Sequence, residues 1–221
     1  MTTEYDKQWT GNWSMFHTNH RHKEEGVADY DFYATHYESV ELFLTKCKER
    51  GFVLPEKIWE PACGRGHISK VLEKDGHDVL STDLIQRDYG KGNIDFLKFT
   101  KENLPEEYKP YLKCIFTNPP YAFSLPFIEK SLELLDNDGI CIMFLKTTFL
   151  ESQKRVSLFK KHKLKYVWQY VNRQGCGRNG GDENGNFENG GAAAYAMYIW
   201  DNSYNGLPEI DWIETPKKGK K

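Results

Sequence analysis

Short apolar runs and segments of helical period alternate along most of this chain. Apolar runs of this length are typical of buried strands, and they cover residues 57–61, 79–82, 94–99, 113–117 and 140–145. Apolar side chains recur at helical spacing in residues 36–50, 67–74, 124–135 and 153–162. Alternation of this kind predicts an α/β fold, with a mostly parallel, doubly wound sheet and helices on both faces.

The last two predicted strands, residues 164–171 and 193–200, have only a Gly/Asn-rich loop between them, at residues 173–191. Because no crossover helix joins them, we expect them to be antiparallel, at one edge of a seven-stranded sheet. A loop of this length is usually functional or disordered, and we interpret it as a candidate for target recognition. The predicted organisation is an irregular arm (residues 1–30), one domain (31–213) and a basic tail (214–221).

Composition excludes several classes of protein. The 221 residues are enough for one core, and no apolar stretch approaches the ~18 residues of a membrane span. The polar N-terminus has no features of a signal peptide, so we expect a cytoplasmic location and no membrane partner. The five cysteines are scattered without a C-x-x-C pair, so neither a metal site nor a disulfide framework is expected.

Positive charge is concentrated locally, although the net charge is only −2. Residues 154–165 contain six lysines and arginines and no acid, and the tail adds four lysines. Such a run is either an ordinary solvated face or a surface for local contact with phosphates, and the sequence leaves both open.

The run Asn118-Pro119-Pro120-Tyr121 directly follows the predicted strand at residues 113–117. The prolines have no N–H to continue the sheet, so the chain must leave it there. The Asn118 side chain and nearby carbonyls are acceptors suited to an amino group, and Tyr121 offers a flat face for a planar ring. An exocyclic amine on a nucleobase fits both, although the motif alone also fits an ordinary turn.

A second motif spans residues 60–69, between the first strand and the next helix. Gly64 and Gly66 allow a tight turn with close approach to the backbone, but Ser69 replaces the third glycine of a dinucleotide fingerprint. Glu60 would repel a pyrophosphate and attract an ammonium. Asp83 follows Gly64 by 19 residues, near the offset at which an acid binds ribose hydroxyls. The motif therefore favours a ligand with a ribose, a positive charge and no phosphate. S-adenosylmethionine satisfies all three conditions.

Together these motifs resemble those of N6-adenine DNA methyltransferases with gamma-class motif order, of the small stand-alone type found in phages and prophages. The E-P-A-C-G-x-G at Glu60 precedes the N-P-P-Y at Asn118, and Asp31-Phe32-Tyr33-Ala34-Thr35 resembles the N-terminal D-[FY]-Y-x-T element. The resemblance covers about residues 18–213. It departs from the family at His36, where members often have proline, and in the absence of a separate target-recognition domain.

The resemblance implies a Rossmann-like methyltransferase fold, S-adenosylmethionine as cofactor and double-stranded DNA as partner. It implies methyl transfer to the N6 amine of an adenine flipped into a pocket formed by Asn118, Pro119, Pro120 and Tyr121. The residues expected to contact the cofactor are Tyr33, Thr35, Glu60, Pro61, Ala62, Cys63, Gly64, Gly66, His67, Ile68, Asp83, Leu84, Ile85, Asp95, Phe96 and Asn118.

Within that set, the resemblance assigns different parts of the cofactor to different residues. Tyr33 and Thr35 would close over the amino-acid moiety, and Asp83 would bind the ribose. The remaining assignments concern the adenine ring, which Leu84 or Ile85 would pack against and whose amine Asp95 and Phe96 would flank. Three alternatives stay open: methylation of RNA base amines, methylation of protein glutamine, and a catalytically silent cofactor-binding module.

Overall fold

The computed structural model describes residues 33–174, 176–178 and 193–215. The predicted N-terminal arm, most of the Gly/Asn-rich loop and most of the basic tail therefore lie outside the described residues. Within them, no helix is both long and apolar enough to cross a membrane.

The described residues form nine strands and four α-helices. In chain order these are β1 (Tyr33–Thr35), α1 (Tyr37–Arg50), β2 (Lys57–Glu60), α2 (Ser69–Lys74), β3 (Asp78–Ser81), β4 (Cys114–Thr117), α3 (Ser124–Leu134), β5 (Ile140–Lys146), α4 (Val156–Lys161), β6 (Leu164–Tyr170), β7 (Cys176–Arg178), β8 (Tyr195–Asp201) and β9 (Glu209–Ile213). Short 3₁₀ helices lie at Phe96–Lys98, Glu106–Tyr111, Tyr121–Phe123, Thr147–Leu150 and Gln153–Arg155.

Seven of these strands form one sheet in the order β3-β2-β4-β5-β8-β6-β9. The pairs β2–β3, β2–β4, β4–β5 and β6–β9 are parallel, and β8 is antiparallel to both of its neighbours. The buried side chains of α1 and α2 join one core cluster and those of α3 and α4 join another, on the opposite face of the sheet. The Rossmann-like α/β architecture is therefore confirmed.

Strand β4 lies at the centre of this arrangement. All four of its residues are buried; Cys114 and Phe116 join the core on one face of the sheet, and Ile115 joins the core on the other. Phe116 meets Phe43 of α1 edge-on, with ring centroids 5.3 Å apart. Helix α1 ends at Arg50, as the helical spacing over residues 36–50 predicts, and Gly51 caps it with φ 62° and its N–H directed at the carbonyls of Cys47 and Lys48.

Two details of the predicted sheet are wrong. The antiparallel strand β8 lies between β5 and β6 rather than at the edge, which β9 occupies instead. The strand expected at residues 94–99 is a 3₁₀ helix, because the Asp95 carboxylate accepts the Leu97 N–H (3.2 Å) and turns the backbone away from a ladder. Beside β3 there is only an isolated parallel bridge between Thr82 and Lys91.

A separate two-stranded sheet pairs β1 with β7, with Thr35 opposite Cys176 and Tyr33 opposite Arg178. Sequence periodicity did not predict either strand, since each has only three residues. The pairing ties the D-[FY]-Y-x-T element to the beginning of the Gly/Asn-rich loop.

Candidate active site

The site is built where the parallel strands of the main sheet end. Strands β2, β4 and β5 run in one direction, so their carboxyl ends share one edge of the sheet. The antiparallel β8 begins at that same edge, with Tyr195 directly opposite Lys146. The loop after β2, Asp83 after β3 and Asn118 after β4 all emerge there.

Asp83 links the two loops predicted to hold a cofactor. Its Oδ2 accepts the N–H of Gly64 (2.8 Å) and its Oδ1 accepts the N–H of Ile85 (2.8 Å). The residue is 8% exposed. Both backbone contacts fix the carboxylate at the edge of the sheet before any ligand binds, and each oxygen retains a further lone pair.

The glycine turn after β2 is held in a conformation that other residues rarely adopt, with φ 55° at Gly64 and 78° at Gly66. A Cβ on Gly66 would lie 2.4 Å from the ring of Tyr89. The Tyr89 hydroxyl donates to Glu73 (2.7 Å), which fixes the ring over the turn. Tyr89 was not predicted as a site residue, because its loop is polar and aperiodic.

Glu60 is 2% exposed and is bound to the first residue of α2. Its Oε2 accepts both the N–H of Ser69 (2.9 Å) and the Ser69 hydroxyl, and that hydroxyl lies 2.6 Å from Ser81 Oγ. Burial raises the pKa of Glu60, while the Ser69 hydrogen bonds oppose the shift. A nearby ligand cation would favour the ionised form of this carboxyl.

Apart from the exposed Arg65, the other residues of the loop carry no charge at pH 7. Burial, together with the nearby charges of Lys70 and Arg65, lowers the pKa of His67 to about 4, so the imidazole is neutral at pH 7. Burial also raises the pKa of the Cys63 thiol. The buried members of this predicted set are Pro61, Cys63, His67 and Ile68, and Ala62 is half-buried.

The residues predicted to surround an adenine ring are placed differently from one another. Leu84 is 51% exposed and Ile85 is half-buried, so Leu84 has an open apolar face. Asp95 caps the 3₁₀ helix and pairs with Lys98 (3.2 Å). Phe96 is 2% exposed and packs edge-on against Trp59 at 5.1 Å, so its ring belongs to the core.

Asn118 is held by Thr35, a contact that the sequence did not predict. The Asn118 Nδ2 donates to Thr35 Oγ1 at 3.0 Å, and Thr35 is buried on β1. With Nδ2 engaged as a donor, Oδ1 is the acceptor end of the amide. The adjoining Pro119 is buried and Pro120 is half-buried. The Tyr33 side chain lies outside the described part of the structure.

Tyr121 is placed by two residues that sequence patterns did not identify. Its hydroxyl lies 2.6 Å from the hydroxyl of Tyr195, whose ring stacks on Phe144 at 4.8 Å. The Lys146 ammonium lies over the Tyr121 ring, 4.3 Å from the centroid. Lys146 and Tyr195 could be recognised only from the register of β5 with β8.

The basic run at residues 154–165 is divided by the fold. The Arg155 guanidinium donates to the carbonyls of Thr148, Phe149 and Glu151, and Lys165 pairs with Asp201 (2.7 Å). Lys160, Lys161 and Lys163 precede β6, at the amino end of a strand about 23 Å long. They lie toward the opposite end of the sheet from Asn118, which favours a solvated face for these three lysines.

Among the described residues, no three His, Cys, Asp or Glu side chains are grouped so that they could hold a metal ion.

Comparison with known proteins establishes the fold alone. No family model matches the sequence, and no curated protein matches it. Among solved structures, a candidate class I S-adenosylmethionine-dependent methyltransferase from Listeria monocytogenes aligns with TM-score 0.55 and 12% identity, over 89% of this chain and 70% of that one. A candidate RNA methyltransferase from Pyrococcus horikoshii aligns with TM-score 0.54 and 12% identity, over 91% of this chain and 98% of that one.

A third similar structure is the modification subunit of a candidate type I restriction enzyme from Vibrio vulnificus. It aligns with TM-score 0.52 and 14% identity, over all of this chain and 55% of the subunit. The chain thus spans about half of that protein. All three similarities place this chain in the Rossmann-like methyltransferase fold.

Gly66→Ala should destabilise the protein more than Gly51→Ala, as measured by urea unfolding. Both glycines have positive φ, but a Cβ at Gly51 meets nothing within 4 Å, whereas at Gly66 it meets Tyr89. The backbone conformation alone costs ~1–2 kcal/mol at either position. Adding Tyr89→Ala to Gly66→Ala should remove the extra loss in unfolding free energy. Equal losses for Gly66→Ala and Gly51→Ala would contradict the close contact between position 66 and Tyr89.

Glu60→Gln should raise the thermal stability, and the gain should grow as the pH rises. A raised pKa means that the fold is favoured when Glu60 is protonated, and that this contribution is lost as the pH rises through the folded-state pKa. Glutamine keeps the shape of the side chain without the buried charge. We therefore expect the free energy of unfolding to rise by ~1 kcal/mol or more at pH 8 and by less at pH 5. Glu49→Gln on the exposed face of α1 is the control. A gain independent of pH would contradict this account.

Proposed function

We propose that this protein transfers a methyl group from S-adenosylmethionine to the N6 amine of adenine in DNA. The observation that carries the proposal is the Asn118 amide, oriented by Thr35 at the carboxyl edge of the sheet. It stands at the same edge as Asp83 and the glycine turn of Gly64 and Gly66. The structural similarity to a restriction-enzyme modification subunit supports DNA as the substrate.

The residues at this edge fit S-adenosylmethionine. Asp83 would accept hydrogen bonds from the ribose hydroxyls, and the turn at Gly64 allows close approach to the backbone. Glu60 and Asp83 disfavour a phosphate-bearing ligand and favour one with positive charge. Leu84 offers an exposed apolar face for a purine ring. When bound, the cofactor supplies a methyl group already activated on a sulfonium.

Asn118 and Pro119 would act on the substrate amine. The amine is a weak nucleophile because its lone pair is delocalised into the adenine ring. Asn118 Oδ1 and the Pro119 carbonyl would accept hydrogen bonds from its two N–H groups. These hydrogen bonds draw electron density toward the nitrogen and stabilise the positive charge that builds there. No strong base is needed beforehand, since the N6 proton becomes acidic only after methylation.

Tyr121 would hold the target ring beside these acceptors. A base inside a duplex cannot reach the edge of the sheet, so it has to be flipped out. The Tyr195 hydroxyl restrains the plane of the Tyr121 ring, which sets the orientation of a base stacked on it. Because the sulfonium is already activated, bringing the base into this alignment accounts for a large part of the remaining activation barrier.

Asn118→Ala should abolish transfer of labelled methyl to DNA with cofactor affinity nearly unchanged. Contacts that strengthen in the transition state typically contribute ~10²-fold or more to kcat. Thr35→Val keeps the shape of Thr35 but removes the acceptor for Nδ2, so a smaller loss in kcat is expected. Retention of more than about a tenth of wild-type kcat by Asn118→Ala would exclude the acceptor role.

Asp83→Asn should weaken S-adenosylmethionine binding by about tenfold in calorimetry, because hydrogen bonds to a charged acceptor are worth ~1.5–3 kcal/mol. Asparagine still offers one oxygen to the Gly64 N–H, so the loop should stay folded. Asp88→Asn, at an exposed position of the same loop, is the control and should bind as the wild type does. Equal affinity of both variants would exclude Asp83 as the ribose ligand.

A further inference from the structure

Lys146 is a half-buried cation at the catalytic edge of the sheet. It is the last residue of β5 and lies directly opposite Tyr195 in the ladder with β8. Phe144 precedes it by two residues and so shares its face of the strand. The Lys146 ammonium is 4.3 Å from the centroid of the Tyr121 ring. Its location is therefore set by β5 and β8, next to the strand β4 that precedes Asn118 and Tyr121.

Lys146 differs from the other lysines of comparable burial. Five lysines in the described part of the chain are half-buried, at positions 46, 57, 130, 146 and 165. Four of them pair with a carboxylate, as Lys46 does with Asp211 (3.0 Å), Lys130 with Glu133 (2.9 Å) and Lys165 with Asp201 (2.7 Å). No described carboxylate lies within ion-pair distance of Lys146, which instead contacts an aromatic ring.

The position over Tyr121 conflicts with the proposed stacking of a base. Stacked carbon atoms approach to about 3.5–4 Å, so an ammonium 4.3 Å from the ring centre lies within the layer that a stacked base occupies. A base that stacks on this side of Tyr121 must displace the ammonium. The flexible four-carbon stem of lysine permits such a movement, but the displaced charge then loses its cation–π contact.

The substrate itself can supply a new partner for this charge. A flipped nucleotide carries a phosphate on each side of its sugar, close to the base in the pocket. Lysine is a point charge with three donors, suited to a phosphate oxygen. A glutamine side chain in a protein substrate would bring no anion. The chemistry at Lys146 therefore favours a nucleotide as the substrate.

We propose that Lys146 is a substrate-binding residue whose ammonium leaves the Tyr121 ring and binds a phosphate flanking the target nucleotide as the base enters. This inference rests on the proposed function and extends it to the backbone of the substrate. The exchange couples base entry to phosphate contact: the ring becomes accessible when the lysine is held by the nucleic acid. Free adenine, which lacks a phosphate, would leave the ammonium over the ring.

The test compares Lys146→Met and Lys146→Arg with the wild type on an adenine-containing duplex mapped as a wild-type substrate. A second duplex carries a neutral methylphosphonate at the linkage on the 5′ or the 3′ side of the target adenine. For one of these linkages, the wild type should lose about three- to tenfold in kcat/KM, mostly through KM. Lys146→Met should show that loss on the unmodified duplex and no further loss on the methylphosphonate.

The salt dependence of binding gives an independent readout. Lys146→Met should lower the slope of log K against log salt by ~0.9, the amount for one phosphate contact on duplex DNA. Lys146→Arg should keep most of the wild-type slope. Lys160→Met, at an exposed position preceding β6, is the matched control and should retain wild-type kinetics on both duplexes. S-adenosylmethionine affinity in each variant checks that the site is folded.

The outcomes separate this inference from the proposed function. If Lys146→Met still loses three- to tenfold on the methylphosphonate duplex, Lys146 does not contact that phosphate, although DNA methylation by the wild type stands. If neither methylphosphonate position affects the wild type, the inference is likewise overturned. If the wild type transfers no methyl group to any adenine-containing DNA, the proposed function fails, and the phosphate contact fails with it.

Discussion

The shared direction of β2, β4 and β5 is the constraint on which the site depends. Because these strands are parallel neighbours, every loop that follows them begins at one edge of the sheet. Pro119 and Pro120 end the ladder of β4 there, since neither offers an N–H. The antiparallel β8 completes the arrangement by starting where the others stop, which brings Tyr195 to Tyr121. A shift of one residue in β8 would turn Tyr195 to the opposite face.

The electrostatics of the edge divide into two parts. On the β2 and β3 side, Glu60 and Asp83 are buried carboxylates, and His67 between them in the chain is held neutral by burial. This side favours a ligand with positive charge and without phosphates. On the β5 side, Lys146 is a cation with an aromatic partner. A sulfonium cofactor would thus be attracted to the carboxylates on the β2 and β3 side, and a phosphate-bearing substrate to Lys146 on the β5 side. The opposite charges keep each ligand away from the other's binding site.

The sequence predicted the parts of the fold in which local pattern and burial agree. The apolar runs of β2 to β5 and the helical spacing that ends α1 at residue 50 are of this kind. It also placed Asp83 and Asn118 at strand ends, and the structure brings them to one edge. The acceptor role of Asn118 and the cofactor role of Asp83 remain proposals. Residues 94–99 were misassigned because a local hydrogen bond from the Leu97 N–H to the Asp95 carboxylate outweighs an apolar pattern.

The features that were missed depend on pairing between distant segments. The place of β8 inside the sheet, the three-residue pair of β1 with β7, and the contacts of Thr35 and Lys146 all arise from long-range register. Thr35 was singled out by its motif, but its contact with Asn118 was not predicted, and the other residues involved have no distinguishing local pattern. Strand β9 was missed for a related reason, since its alternating Ile210, Asp211 and Trp212 lie on an edge where apolar side chains stay exposed.

The most direct test of the central claim identifies the methylated atom. DNA, RNA and protein are incubated in parallel with the protein and isotopically labelled S-adenosylmethionine, then hydrolysed and analysed by mass spectrometry. The account predicts label in N6-methyl-2′-deoxyadenosine from DNA and in no other product. Label in methylglutamine or in methylated ribonucleosides, with unlabelled DNA, would contradict it.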